Sequence, residues 1–69
     1  MKKPTERELG GMTVNERLVV LGLFDKWDAA AKSRNRSRMI QILSQCAMTQ
    51  KQCEETTDAL LANPKKYGF

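Results

Sequence analysis

Large apolar residues gather in three blocks along the chain, with polar runs between them. Counted at about 100° per residue from Val14, the side chains of Val19, Val20, Leu23, Phe24, Trp27, Ala30 and Ala31 fall in one broad arc. That predicts an amphipathic helix over 14–32 with this arc as its core face. Val14, Leu18 and Leu21 lie on its other side, so the first half of the helix is apolar all round and has to be covered on both faces. Gly22 inside such a helix costs roughly 1 kcal/mol against alanine, which points to close approach of another backbone there. Thr13-Val14-Asn15-Glu16 fits a capping box and marks the start.

In the second block, Met39, Ile40, Ile42, Leu43, Cys46 and Ala47 share a face while Gln41, Ser44 and Gln45 lie outside it, which predicts a helix over 38–47. Thr49-Gln50-Lys51-Gln52 is a second capping box. The helix it opens, 50–63, has Cys53, Thr56, Thr57, Leu60 and Leu61 on its inner face and ends before Pro64, which disfavours helical geometry in the preceding residue. Residues 1–12 hold charge, a proline, Gly10-Gly11 and little that is apolar beyond Leu9, and read as a flexible leader. The tail, 64–69, carries two aromatic rings, Tyr67 and Phe69, and is expected to dock on the second face of the first helix. The fold class is therefore all-α: one domain over 13–69, a small three-helix bundle with a mobile N-terminal leader and a docked C-terminal tail.

Size makes that architecture fragile. A chain of 69 residues buries only about 60% of the surface its unfolded form exposes. No apolar run reaches the roughly 18 residues that a membrane span needs. Met1-Lys2-Lys3-Pro4 is followed by polar residues, unlike a secretory signal, so the expected location is cytoplasmic. Two cysteines and no histidine are too few for a closed zinc site, and Cys46 and Cys53 fall on inner faces where a thiol packs as a small hydrophobe. Asp25 and Asp28 sit three apart on one helix face with Lys32 a turn further on, as solvated, salt-bridging residues do. No catalytic residue, metal ligand or cofactor site is expected.

Two features are left as candidate binding chemistry. The apolar surplus of Val14, Leu18 and Leu21, together with Trp27, Tyr67 and Phe69, predicts a surface for a protein partner or a second copy of the chain, since aromatic residues are enriched where proteins meet. The net charge of +4 is concentrated in Lys32, Arg34, Arg36 and Arg38, and Lys65 and Lys66 extend the patch if the tail folds back. Such a cluster suits phosphates or an acidic partner. The second and third helices have a helix-turn-helix outline, but Glu54, Glu55 and Asp58 on the would-be reading helix repel a phosphate backbone. The sequence thus predicts a non-enzymatic protein–protein interaction module, self-association included. Its alternative is a nucleic-acid-associated protein touching phosphates through 32–38.

The segments Thr13-Val14-Asn15-Glu16-Arg17-Leu18, Gly22-Leu23-Phe24-Asp25 and Leu61-Ala62-Asn63-Pro64-Lys65-Lys66-Tyr67-Gly68-Phe69 resemble a family of small uncharacterised bacterial proteins. That family shares an NERL start, a Leu-Phe-Asp core segment and an NPxxYGF end. The resemblance covers about residues 12–69 and implies a small helical domain; no activity attaches to it, and it transfers no site residue.

Overall fold

The computed structural model describes residues 5–69. It contains α1 (Glu6–Gly10), α2 (Val14–Val20), α3 (Phe24–Lys32), α4 (Arg36–Leu43) and α5 (Gln50–Ala62), followed by a 3₁₀ turn over Pro64–Tyr67. Every regular element among the described residues is helical, as an all-α chain requires. The number of helices departs from the expected three, for reasons local to two glycine-containing segments.

The first departure is in the expected leader, whose residues 1–4 lie outside the described residues. Thr5-Glu6-Arg7-Glu8 carries the same spacing as the box at Thr13, and the Glu8 N–H donates to Thr5 Oγ1 at 3.2 Å, opening α1. Leu9, on this helix, is buried, although it stands outside the main core cluster. Arg17 secures the connection that follows. Its Nε donates to the Met12 carbonyl at 3.2 Å and its Nη1 to the Cys46 carbonyl at 3.0 Å, tying the α1–α2 link to the turn after α4.

The second departure splits the expected 14–32 helix. Gly22 has φ +71°. Its N–H donates to the Val19 carbonyl at 3.1 Å, and the Leu23 N–H donates to Leu18 at 2.8 Å. These two bonds are the Schellman ending of a helix, with glycine in the left-handed position and an apolar contact between the residues on either side, here Leu18 and Leu23 in one core cluster. A Cβ added at Gly22 would meet nothing within 4 Å. Glycine is therefore used for its backbone freedom, and the close approach expected there does not occur.

Because the break resets the helical phase, the inner face changes. Leu18 is fully buried on α2, flanked by half-buried Val14 and Leu21, while on α3 Leu23, Trp27, Ala30 and Ala31 point inward. Val19, Val20 and Phe24, expected in the core, are exposed.

The second helix begins earlier than expected, because Asn35 caps it by accepting the Arg38 N–H at 3.2 Å. It ends at Leu43, and the chain turns through Ser44 to Ala47, the last with φ +57°. Both legs of the boxes at Thr13 and Thr49 form. α4 packs against α3 on one side and α5 on the other, burying Met39, Ile42, Leu43 and Cys46 with Cys53, Thr57 and Leu60. The Thr57 hydroxyl is buried without a hydrogen-bond partner.

Candidate functional site

The predicted apolar surface divides into three parts. Leu18 and Trp27 are core, almost without exposure, and hold the bundle together rather than meeting a partner. Val14, Tyr67 and Phe69 join Trp27, Thr56 and Leu60 around an open groove of about 200 Å³ between α2, α5 and the tail. Half-buried Leu21 packs against the core from its own side. Phe69 is also half-buried and packs against the core cluster. Its N–H donates back to the Pro64 carbonyl at 2.9 Å, curling the tail through Gly68 at φ +86°.

The apolar residues that do face outward are others. Val19 is 63% exposed, Val20 50%, Phe24 38% and Tyr67 45%. Three of these four stand within six residues of each other at the α2–α3 bend, on either side of Gly22. The wheel drawn from Val14 misplaced them because it ran unbroken through that residue. The signal that could have found them is the Leu18-Val19-Val20-Leu21-Gly22-Leu23 string itself, a helix end with glycine one step past the cap.

The basic set is similarly divided. Arg36 makes a two-pronged contact with Asp58, Nε to Oδ1 at 2.7 Å and Nη2 to Oδ2 at 3.2 Å, with Glu54 at 4.0 Å. The hydrogen bond to Arg36, helped by its charge and opposed by desolvation, holds the Asp58 carboxyl below its ordinary range. The same bond and charge hold Arg36 above its own. Lys32 pairs with Asp28 at 2.9 Å. Arg34, at φ +56°, donates from Nη2 to the Leu61 carbonyl at 3.0 Å, on the last turn of α5. Arg38 reaches only Gln41 Oε1, at 3.3 Å. Two of the four loop cations are thus neutralised within the fold, and the loop is pinned along α5.

Other chemistry is sparse. Burial pushes the Cys46 thiol up against the opposing pull of Arg17, and pushes Cys53 up as well. Both are free and buried, a setting in which the reactive thiolate is disfavoured. Among the described residues no three His, Cys, Asp or Glu side chains gather as a metal set, and no helix is long and apolar enough to cross a membrane. No protein-family model, curated protein or solved structure matches this chain.

Proposed function

We propose that this chain acts by binding rather than by catalysis, and that its contact surface is the apolar patch of Val19, Val20 and Phe24 at the α2–α3 bend, taken up first by a second copy of the chain. The exposure of these three side chains carries the reading. Large apolar groups grouped on the surface of so small a domain lose water contact when they meet a like surface, and an isologous pair lets one patch serve both partners. In this reading the three-helix core of α3, α4 and α5 is completed by α2 and by a docked tail with Phe69 as its anchor. The chain works in the cytoplasm, where a reducing pool keeps Cys46 and Cys53 as thiols. The likeness to the NERL and NPxxYGF family is compatible with it and adds no residue.

Light scattering over a concentration series tests the proposal. The expected result is a mass rising toward twice the 7.8 kDa of one chain, with Val20→Asp returning the single-chain mass. Val20 is half exposed, so its melting curve should move by no more than about 0.5 kcal/mol equivalent. Wild-type protein that stays a single chain at every concentration, or a Val20→Asp variant of unchanged mass, would overturn self-association.

A further inference from the structure

Among the described residues, several cations without a salt bridge lie around the 33–35 connection and the tail. Ser33 and Asn35 line a shallow depression between α3 and α4 whose other polar walls are Lys26 and Arg38. Arg34 lies between Ser33 and Asn35, its guanidinium bonded to the Leu61 carbonyl at the end of α5. Three residues beyond Leu61 begins the 3₁₀ turn that carries Lys65 and Lys66. The contact between Arg34 and α5 therefore joins two basic segments distant in sequence. Lys26, Arg34, Arg38, Lys65 and Lys66 are all exposed, and among the described residues none of them makes a salt bridge. Asp28 pairs with Lys32, Glu54 and Asp58 with Arg36, and Glu55 with Lys51, while Asp25 lies beside Lys26 in sequence. Next to this band is an aromatic ring: Tyr67 is nearly half exposed, with Lys66 Nζ 5.9 Å from its centroid.

We infer that this end of the molecule binds single-stranded nucleic acid without reading its sequence, the five cations following the phosphates and Tyr67 stacking on a base. An exposed aromatic beside a cationic track is the combination that holds single strands, because every base offers a π-face. A peptide of acidic residues alone would satisfy the cations but give the ring nothing to stack on. Sequence readout through α5 is opposed by the carboxylates of Glu54, Glu55 and Asp58 on that helix. The site shares no residue with the apolar patch at the α2–α3 bend, so a substitution in one can be read without touching the other.

The experiment is fluorescence anisotropy of a labelled oligothymidylate of about 16 nucleotides, titrated with the whole chain between about 50 and 200 mM salt. The expected logarithmic slope is about −0.7 for each phosphate contacted, so roughly −2 to −3.5 for three to five contacts. Lys65→Ala with Lys66→Ala should flatten it by about 1.4, two contacts' worth. Arg38→Ala should do so by about half as much, and all three side chains are exposed enough to leave the fold intact. Tyr67→Ala should weaken binding roughly tenfold and Tyr67→Phe should restore it, because the ring and not the hydroxyl stacks. Three results would overturn the inference: no binding at low salt, affinity indifferent to the lysine and arginine changes, or polyglutamate competing as well as the oligonucleotide at equal charge.

Discussion

At Gly22 two costs of opposite sign compete, and a single substitution separates them. In a continuous helix, replacing glycine by alanine gains roughly 1 kcal/mol. At φ +71° the same change forces a Cβ into the left-handed region, at roughly 1–2 kcal/mol. Space does not enter, since a Cβ at Gly22 has no neighbour within 4 Å. We therefore expect Gly22→Ala to lower the melting temperature by several degrees, at about 4–8 °C per kcal/mol for a domain of this size. A raised melting temperature would restore the unbroken helix over 14–32. Arg34 and Ala47 hold the same backbone geometry with side chains attached. At Arg34 the guanidinium bond to the Leu61 carbonyl offsets part of that strain; nothing in the structure offsets it at Ala47.

Among the elements, α4 and α5 are joined on the outside by the Arg36–Asp58 pair and on the inside by their apolar faces. The pair responds to pH. Asp58 sits below its ordinary range when folded, so its contribution is fully present above the unfolded aspartate range and is lost as pH falls through the folded value. Asp58→Asn should accordingly melt slightly below wild type near pH 7, with the gap closing below about pH 4 and at high salt, because the pair is exposed. A gap that persisted in acid would assign the loss to packing rather than charge. The same elements show what could be read from the sequence. The starts at Thr13 and Thr49 and the stop before Pro64 were legible, because each is set by a hydrogen bond or a steric clash spanning only a few residues. Thr5 and Asn35 are equally local caps, and their spacing was there to be read. The inner faces of α4 and α5 were legible for the same reason of short range. The exposed patch follows from the phase reset at Gly22, which hydrophobic periodicity does not register and which only the glycine one step past a helix cap signals. The bond from Arg34 to the last turn of α5 was not legible, since it depends on which helix α5 packs against.

For the molecule as a whole, the tail is the part whose worth is least fixed by local rules. It has no long helix and no ion pair among the described residues, only Phe69 against the core, its backbone bond to Pro64 and a wall of the groove over Trp27. Burying part of one aromatic ring contributes on the order of 1 kcal/mol, which in a chain that covers so little of its own surface is a sizeable share of the margin. Trp27 makes this measurable, because it is the one tryptophan in the sequence, is only 3% exposed and lines the same groove as Tyr67 and Phe69. Removing residues 67–69 should lower the melting temperature by roughly 4–8 °C. In the folded state it should also shift Trp27 emission to the red and open the ring to iodide quenching. A lower melting point without the spectral change would mean that the tail stabilises from elsewhere than the groove. An unchanged melting point and spectrum would mean that α2 and α5 cover Trp27 unaided, leaving the groove open to a ligand or partner.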